Sequence, residues 1–360
     1  MRIGIPREIK TLEGRVGLTP LACGEVVRAG HEVFVESGAG VPSGYGDDDF
    51  AAVGATVLPD AAALYEKAEL VVKVKEPLEG DLAHLRAHHR LFCYLHLAAE
   101  PALGERLREI GLTAVAFETV EEHGGLPLLA PMSEIAGRIA VQVGTHYLHQ
   151  PLGGRGVLLG GVAGTGRGNV VVLGAGHVGA TAASLAAAMG ANVTVFDKRV
   201  DRLDAVRRLA PNITGLQAYG ELIANRLLHA DLVIGAVLVA GRHAPRVVTR
   251  EMVRAMEQGT VVADVSVDQG GCVETTRPTT YADPVYVEEG VQHFCVTNMP
   301  GAVPRTSSQA LSAVLVPYVL RLAGADWEDD RALASGINVQ RGEYVHPGVR
   351  DELSHVQSNN

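Results

Sequence analysis

Basic residues are sparse in this chain of 360 residues, which has 31 Lys and Arg against 41 Asp and Glu and a formal net charge of −10. It has no run of Lys and Arg of the kind that neutralises the phosphates of a nucleic-acid backbone. It also lacks an uninterrupted stretch of about 20 apolar residues, the length that spans a bilayer. These absences argue against a nucleic-acid partner and against a membrane-spanning role.

Cysteine is also scarce. Cys23, Cys93, Cys272 and Cys295 are far apart and include no C-x-x-C pair, so we expect neither a metal site nor a disulfide framework. The first residues, MRIGIPREIK, lack the apolar region of a secretory signal. We therefore expect a cytoplasmic protein.

Aromatic residues amount to only 4%, whereas glycine is abundant, with 42 residues. This composition favours an α/β protein with many short strand-to-helix turns over an all-β sandwich. Hydrophobic residues make up 47% and charged residues 20%, the balance of a folded globular chain. The length indicates two domains.

The order of the patterns supports this organisation. The first third alternates β-branched runs with helical patterns, as in a parallel sheet. A long amphipathic segment follows Pro131, and Ser133 is predicted to cap its helix, which places a domain boundary near Ala130. A second series of strands and helices fills the middle third. After Pro304 the pattern predicts another long helix, kinked or broken near Pro317.

A glycine-rich motif, VVVLGAGHVG, follows a predicted strand and opens a predicted helix. Gly174 permits the tight turn, Gly176 lets the backbone approach a pyrophosphate, and Gly179 lets the helix pack on the strand. The free N–H groups of the helix N-terminus face the phosphates. The motif predicts dinucleotide binding.

Asp197 ends the next predicted strand, at the offset that the dinucleotide motif requires. Its carboxylate would accept hydrogen bonds from the adenosine ribose and repel a 2′-phosphate, which favours NAD over NADP. Lys198 and Arg199 leave an alternative open, because either cation is close enough in sequence to reach a 2′-phosphate. The simpler interpretation is that both are solvated loop charges.

Three residues of the first third are candidates for catalysis or substrate binding. Lys75, two residues after Lys73, follows the run LVV, and His96 follows LFCYL; strand ends of this kind bind ligands in open α/β sheets. Arg15, in the loop EGRVGLTP, has a guanidinium suited to a carboxylate. The alternatives are a solvated strand edge for Lys75, a core histidine for His96 and an ordinary loop arginine.

Two segments of the predicted nucleotide domain also contain candidates. Asp268 lies in DVSVDQGG, just after a strand, where two glycines allow the chain to pass close to a ligand. TNMPGAVP, residues 297–304, is either an ordinary turn or a loop on the cofactor side. The alternative for Asp268 is an ordinary turn former, and local patterns alone do not separate the alternatives for either segment.

Taken together, several motifs resemble the NAD-dependent L-alanine dehydrogenases. They run in order from Met1 to about Leu322 and include RIGIPREIK, EGRVGLTP, LVVKVKEP, LHLA, LLAPMSEIAGR, VVVLGAGHVG, ADLVIGAVLV, DVSVDQGGC with RPTTY, and TNMPGAVPRTS. The resemblance implies two Rossmann-like domains with parallel sheets. Residues 131–300 would form a central NAD-binding domain, and residues 1–130 and 301–360 a discontinuous substrate domain.

The resemblance also implies the chemistry, which is reversible oxidative deamination of L-alanine to pyruvate and ammonia by hydride transfer to NAD. Arg15 and Lys75 would bind the substrate, His96 would be the acid/base catalyst, and Asp268 would support proton transfer around the amine. A homohexamer is implied as well. The residues implied in cofactor binding are Ser133, Gly174, Ala175, Gly176, His177, Val178, Gly179, Asp197, Arg202, Val237, Leu238, Val265, Ser266, Val267, Asp268, Thr297, Asn298, Met299 and Pro300.

Two other functions compete with this one. The soluble subunit of the proton-translocating transhydrogenases shares the two-domain plan and binds NAD(H), but it needs no acid/base for an amino acid. A catalytically silent NAD(H)-binding regulator would tolerate loss of the catalytic groups. The joint presence of Lys75, His96 and Asp268 favours the dehydrogenase.

Overall fold

The computed structural model describes residues 1–237 and 243–357. These residues form two compact units. The first contains Met1–Met132 and the chain from Gly301 onward, and the second contains the described parts of Ser133–Val239 and His243–Pro300. The division falls inside one long helix, Ala130–Tyr147.

The strands, numbered along the described chain, are β1 (Arg2–Ile5), β2 (Glu32–Glu36), β3 (Thr56–Leu58), β4 (Leu70–Val72), β5 (Arg90–Cys93), β6 (Thr113–Ala116), β7 (Asn169–Leu173), β8 (Asn192–Asp197), β9 (Ile213–Gln217), β10 (Leu232–Gly235), β11 (Val261–Asp264), β12 (Val285–Glu288), β13 (Val291–Phe294), β14 (Ile337–Gln340) and β15 (Glu343–Tyr344).

The α-helices are α1 (Pro20–Arg28), α2 (Asp47–Ala51), α3 (Ala61–Lys67), α4 (Glu79–Leu82), α5 (Pro101–Ile110), α6 (Ala130–Tyr147), α7 (His177–Ala188), α8 (Val200–Arg207), α9 (Gly220–Leu227), α10 (Arg250–Arg254), α11 (Pro304–Leu322), α12 (Arg331–Gly336) and α13 (Pro347–Gln357). Short 3-10 helices occupy Val41–Ser43, Phe117–Thr119, Gln150–Leu152, Val265–Gln269, Met299–Ala302 and Trp327–Asp329.

The sheet of the first unit has the strand order β15-β14-β6-β5-β4-β1-β2-β3. Neighbouring strands from β3 to β6 are parallel. This is a doubly wound arrangement that changes direction between β1 and β4, and ligands bind such sheets beyond the carboxyl ends of the strands at this point. The segments that follow β1, β4 and β5 therefore emerge at the edge where a ligand site is expected.

The second unit has the strand order β12-β13-β11-β10-β7-β8-β9, parallel except for β12. The change of direction lies between β7 and β10. Leu173, Gly235 and Asp264 are aligned at the carboxyl ends of β7, β10 and β11. The glycine motif thus begins at the ligand-binding edge of its own sheet.

The predicted α/β class with two largely parallel sheets is confirmed. The composition of the central strands explains it, because β4 (LVV) and β10 (LVIG) are buried throughout, as required of strands covered by helices on both faces.

Each sheet also has an antiparallel hairpin at one edge, which the sequence analysis did not predict. Glu289 and Gly290 join β12 to β13, and Arg341 and Gly342 join β14 to β15. All four residues have positive φ, as in the type I′ turn that matches the twist of a two-residue hairpin. The X-Gly dipeptide between two β-branched runs was the available signal.

The prediction that Ser133 caps α6 is wrong. The helix begins at Ala130, because the N–H groups of Leu129 and Ala130 already donate to the carbonyl of Leu126. Pro131 is tolerated in the first turn, where a missing N–H breaks no helical hydrogen bond. Ser133 therefore lies within the first turn, half-buried.

The sequence predicts a kink or a break near Pro317, and the structure has no break there, since α11 runs continuously from Pro304 to Leu322. A proline inside a helix removes one hydrogen bond. Leu315, Tyr318 and Val319 are buried on either side of it, and their burial in the continuous helix outweighs that loss. Among the helices described, none combines the length and apolar character needed to cross a membrane.

Candidate functional site

Lys73 and Lys75 follow β4 at the edge where its sheet changes direction. Lys73 is 1% exposed and lies 3.1 Å from Asp81 Oδ1 and 3.4 Å from Glu8 Oε2. Burial opposes the charge on Lys73, but the two carboxylates outweigh burial and hold the pKa of the ammonium above its ordinary value. Lys73 is thus neutralised by the protein itself.

Lys75 differs, although it is only 8% exposed. Its ammonium forms no hydrogen bond and no ion pair within 4 Å with any residue that the structure describes. A nearly buried cation of this kind is costly unless an anion neutralises it. Lys75 is therefore available to an anionic ligand in a way that Lys73 is not.

Arg15 lies in the loop between β1 and α1 and is 2% exposed. Glu13 binds it through two hydrogen bonds, from Arg15 Nε to Oε1 at 2.7 Å and from Nη2 to Oε2 at 2.6 Å. Arg15 Nη1 donates to Met132 Sδ at 3.3 Å. Burial opposes the charge, but the hydrogen bonds and charge of Glu13 outweigh it and raise the pKa of Arg15.

His96 follows β5 and has a φ of 49°. This left-handed conformation is uncommon outside glycine, though histidine adopts it more readily than most residues. Glu118 Oε1 accepts a hydrogen bond from the backbone N–H of His96 at 2.7 Å and lies 4.0 Å from its Nδ1. The ring is stacked on Tyr94, with 5.8 Å between centroids and an interplanar angle of 6°. Backbone and ring are therefore both held.

Sequence analysis missed the acidic residues that surround Lys73, Arg15 and His96. Glu8 pairs with Lys73, Glu13 with Arg15, and Glu118 with the backbone of His96. The signal available was topological, because Glu118 follows β6 and His96 follows β5, the adjacent parallel strand. Charged residues that follow neighbouring parallel strands emerge at the same edge.

The glycine motif shows three different local environments. Gly174 has a φ of +103°, and a Cβ there would lie 2.4 Å from the carbonyl oxygen of Ala236. A Cβ on Gly179 would lie 1.8 Å from the carbonyl oxygen of Gly174, so glycine is required where α7 packs on β7. At Gly176 the nearest heavy atom to a Cβ would be Arg202 Nη1, at 3.9 Å.

Gly176 is the N-cap of α7, which has 12 residues. Nothing in the described protein fills the space that a side chain at this position would take, apart from the distant contact with Arg202. The absence of a Cβ therefore leaves room for a group approaching the helix N-terminus, whose N–H groups attract anions. These features fit the pyrophosphate of a dinucleotide.

The residues next to Gly176 differ in burial and in their contacts. Ala175 is buried, and its N–H donates to Asp197 Oδ2 at 2.7 Å. His177 is exposed and Val178 half-buried. The carbonyl oxygen of Val178 would lie 2.5 Å from a Cβ at Gly137, so α6 and α7 pack closely here.

Asp197 is the last residue of β8. Its Oδ1 accepts a hydrogen bond from the N–H of Arg199 at 2.8 Å and so stabilises the turn that follows the strand. The Arg199 side chain pairs with Asp201 at 2.5 Å. Lys198 is exposed and forms no ion pair in the part of the chain that the structure describes. Arg199 is therefore held by its own neighbour, and Lys198 is the cation left open for a 2′-phosphate.

The segment Val265–Gln269 after β11 is organised by a residue that sequence analysis missed. Asp264 is buried and accepts hydrogen bonds from the N–H groups of Ser266 at 3.0 Å and Cys272 at 2.9 Å and from the hydroxyl of Thr276 at 2.9 Å. Burial raises the pKa of the Asp264 carboxyl, although these donors oppose the rise. The Asp264 carboxyl group therefore holds the start of this loop against residues 272–276.

The loop that Asp264 closes carries Asp268 at the surface. Val265 is half-buried, and Ser266 and Val267 are buried. Asp268 is exposed, and its Oδ2 lies 3.5 Å from the N–H of Asn298.

The segment from 297 to 300 contains Asn298, whose φ is 63°. Thr297 donates its N–H to the carbonyl of Thr279 at 3.2 Å, and the Tyr281 hydroxyl donates to the carbonyl of Met299 at 2.9 Å. Pro300 is buried. The structure thus brings Asp268 and this segment together within the second unit.

Two further residues implied in cofactor binding follow β10. Val237 is half-buried, and its nitrogen would lie 3.3 Å from a Cβ at Gly174. Leu238 lies outside the described residues. No cluster of three or more metal-binding side chains occurs within residues 1–237 and 243–357.

Two family models match the chain. One, described as the alanine dehydrogenase/PNT N-terminal domain, matches residues 4–136, and the other, described as the alanine dehydrogenase/PNT C-terminal domain, matches residues 140–347. Together they span most of the sequence.

Curated relatives match over nearly the full length. The alanine dehydrogenase of Halomonas elongata is 46% identical over 357 residues, which cover 98% of this chain and 96% of the relative. The alanine dehydrogenase of Bacillus subtilis is 45% identical over 361 residues, which cover 99% and 95%.

Solved structures resemble the fold to different degrees. A structure described as an L-alanine dehydrogenase has a TM-score of 0.93 and 48% identity and covers 99% of this chain and 100% of its own. A transhydrogenase from Sinorhizobium meliloti has a TM-score of 0.83 and 25% identity, with coverages of 96% and 99%.

Proposed function

We propose that this chain, which belongs to the alanine dehydrogenase/PNT family, catalyses the reversible NAD-dependent oxidative deamination of L-alanine. The structural observation that carries the proposal is the nearly buried Lys75 ammonium, which lacks an ion-pair partner within 4 Å among the described residues. A substrate carboxylate supplies that partner. The near-full-length likeness to alanine dehydrogenases supports the same activity.

The substrate-binding pair consists of Lys75 and Arg15. Glu13 occupies Nε and Nη2 of Arg15 and balances its charge. Lys75 therefore supplies the net positive charge that attracts the carboxylate, and Arg15 supplies directional hydrogen bonds. This division of roles orients Cα for reaction.

His96 exchanges protons with the substrate. Oxidative deamination removes a hydride from Cα, adds water to the resulting imino acid, and releases ammonia, so protons must leave and return at the nitrogen and at the new oxygen. Bound NAD supplies the hydride acceptor. An imidazole can both accept and donate a proton and so serves both directions of proton transfer, and Glu118 and Tyr94 hold it in place.

The second unit holds NAD, and the first unit holds the substrate. Gly174, Gly176 and Gly179 form the pyrophosphate cradle, and Asp197 accepts hydrogen bonds from the adenosine ribose, which favours NAD over NADP. Asp268, near Asn298 in the same unit, supports proton transfer around the amine.

The other residues that surround the cradle and the loops after β10, β11 and β13 complete the cofactor site. They are Ser133, Ala175, His177, Val178, Arg202, Val237, Leu238, Val265, Ser266, Val267, Thr297, Met299 and Pro300.

The proposal extends to quaternary structure and location. By resemblance to the family, the protein is a cytoplasmic homohexamer that produces pyruvate and ammonia from L-alanine. Light scattering coupled to size-exclusion chromatography measures the subunit number directly, and a monomer or dimer would contradict the hexamer.

The experiment that tests the function follows NADH formation from L-alanine and NAD at alkaline pH, with other small amino acids and NADP in parallel. We expect NADH formation that depends on L-alanine, and the reverse reaction from pyruvate, ammonia and NADH. Tight NADH binding without turnover would instead indicate a transhydrogenase-like or regulatory protein. The transhydrogenase structure described above is 25% identical in sequence to this chain.

A further inference from the structure

The loop that carries Arg15 has no helix or strand of its own between β1 and α1. It lies against the first turn of α11 and the 3-10 helix Val41–Ser43. A Cβ at Gly14 would lie 3.0 Å from Pro42 Cβ and 3.3 Å from Pro304 Cβ. The backbone on either side of Arg15 must therefore be held by partners outside the loop, since a buried peptide group without a hydrogen bond is costly.

Two buried serine hydroxyls provide these partners. Ser308 Oγ, on α11, accepts a hydrogen bond from the N–H of Val16 at 3.0 Å. Ser43 Oγ donates to the carbonyl of Gly14 at 2.7 Å. The two hydroxyl oxygens are 2.9 Å apart. Ser43 is 1% exposed and Ser308 is 0% exposed, so solvent does not substitute for either hydroxyl.

Each hydroxyl has a single proton, and this fixes the direction of the network. Ser43 gives its proton to the carbonyl of Gly14, so the contact between the hydroxyls is made by the proton of Ser308. The chain of hydrogen bonds then runs from Val16 N–H to Ser308, from Ser308 to Ser43, and from Ser43 to the carbonyl of Gly14. Each bond in such a chain polarises the next.

This chain spans the peptide groups on both sides of Arg15, because Gly14 contributes the preceding carbonyl and Val16 the following N–H. A second serine of α11, Ser312, accepts from the N–H of Thr19 at 2.9 Å. Ser308 and Ser312 are one helical turn apart and face the same loop. The helix thus holds the loop at two points.

We propose that Ser308 and Ser43 form a hydroxyl relay that positions Arg15 for binding the substrate carboxylate, an inference that rests on the function proposed above. Glu13 orients the guanidinium, and the relay sets the backbone from which that side chain extends. Ser308 and Ser43 are both buried and act through Arg15, so they are positioning residues.

The test compares Ser308→Ala with Ser335→Ala in the full-length protein. Ser335 Oγ accepts from the N–H of Glu121 at 2.8 Å, so the control also removes a serine acceptor from a backbone donor, far from Arg15 in sequence. We expect Ser308→Ala to raise the KM for pyruvate about tenfold, with the Kd for NADH changed less than about twofold. The control should change neither constant.

A purely structural role would give a different pattern. If Ser308 acts through Arg15, its replacement should change the KM for pyruvate less than about twofold when Arg15→Lys is already present, because the two effects are not additive. Additive effects in this double-mutant cycle would overturn the proposal, as would normal pyruvate kinetics for Ser308→Ala. Should Ser308→Ala fail to fold, Ser43→Ala keeps the acceptor for Val16 and undergoes the same measurements.

Measurements on the wild-type protein distinguish a failure of this proposal from a failure of the proposed function. Wild-type protein with no turnover of L-alanine or pyruvate would overturn the proposed function and the relay with it. Active wild-type protein with an unaffected Ser308→Ala variant would overturn the relay alone.

Discussion

Lys73 and Lys75 lie two residues apart after the same strand, yet Lys73 Nζ is 3.1 Å from Asp81 Oδ1 and 3.4 Å from Glu8 Oε2, whereas Lys75 has no ion pair with any described residue. The same side chain at nearly the same position therefore has two different consequences. Lys73, whose positive charge is balanced by two carboxylates, stabilises the contact between the segments that follow β1 and β4. Lys75 remains available for a ligand.

Replacing the two lysines separates these roles. Lys75→Met should raise the KM for pyruvate about 100-fold while leaving the melting temperature equal to or above that of the wild type, because the change removes a nearly buried charge that has no ion pair within 4 Å among the described residues. Lys73→Met should lower the free energy of unfolding by about 3–5 kcal/mol, because it leaves the buried carboxylates of Glu8 and Asp81 without the cation that pairs with them. Steady-state kinetics and thermal unfolding measure both. Normal pyruvate kinetics for Lys75→Met would exclude its carboxylate-binding role.

His96→Asn tests the acid/base role with little change in backbone strain. Asparagine tolerates the left-handed conformation of His96 but lacks a ring nitrogen that could accept and return a proton. We expect kcat to fall about 100- to 10,000-fold, the contribution of general acid/base catalysis, with the Kd for NADH retained. His88→Ala, at an exposed histidine, is the control. A His96→Asn variant with wild-type kcat would refute the assignment.

Two glycines of the same motif should respond differently to replacement by alanine. Gly179→Ala forces a Cβ to within 1.8 Å of the carbonyl oxygen of Gly174, so we expect a loss of about 1–3 kcal/mol or more in the free energy of unfolding. Gly176→Ala meets nothing closer than 3.9 Å and should fold normally but bind NADH at least about tenfold more weakly. Denaturation and NADH fluorescence measure the two effects. Undiminished NADH binding by Gly176→Ala would contradict the proposed cradle.

Asp197→Ala should shift cofactor preference toward NADP. The change removes the carboxylate that would repel a 2′-phosphate, and Lys198 lies next to it without an ion pair among the described residues. We expect the ratio of kcat/KM for NAD to that for NADP to fall about tenfold or more. Because Asp197 also accepts from Ala175 and Arg199, Asp197→Asn provides a comparison that removes the charge and keeps one of the two acceptor oxygens. An unchanged ratio in both variants would mean that another residue sets the preference.

The carboxylate of Asp330 should make stability depend on acid pH. Its pKa is lowered from an ordinary value of 3.8, chiefly by hydrogen bonds from Arg321 at 2.6 and 2.7 Å. A carboxyl group whose pKa is depressed on folding contributes stability that is complete above its unfolded pKa and is lost as the pH falls through its folded pKa. The contribution should therefore be complete at neutral pH and disappear below the ordinary value of 3.8.

Asp330→Asn isolates this contribution, because asparagine caps α12 as well as aspartate does. The variant should lose about 1 kcal/mol of stability at neutral pH, and this difference from the wild type should shrink toward zero in the acid range. Chemical denaturation across pH measures it, with the neighbouring exposed Asp326→Asn as the control for loss of one negative charge. A difference that is constant from neutral to acid pH would contradict the prediction.

Local sequence contains the signal wherever neighbouring residues determine the structure, although the sequence analysis did not use all of it. The run NVVVL and the three glycines after it predict β7, its turn and the start of α7, because positive φ at Gly174 and close packing at Gly179 are local steric demands. The hairpin turns at Glu289–Gly290 and Arg341–Gly342 are of the same local kind, and their dipeptides were the signal that the sequence analysis did not use. The placement of Ser133 failed because hydrogen bonds to Leu126 start the helix earlier.

The electrostatic roles in the site depend on partners that are distant along the chain. Glu8, which follows β1, forms an ion pair with Lys73, which follows β4. The hydroxyl of Ser308 accepts a hydrogen bond from the N–H of Val16, 292 positions away in the sequence. Composition and spacing do not reveal such pairs, because they depend on which strands are adjacent and on where α11 packs. The sequence alone was enough to indicate a dinucleotide-binding α/β protein and the strand ends on which its candidate residues lie. Which lysine is neutralised and what holds Arg15 and His96 follow only from the folded chain, since ion pairs and hydrogen bonds act over a few ångströms of space, whatever the separation in sequence.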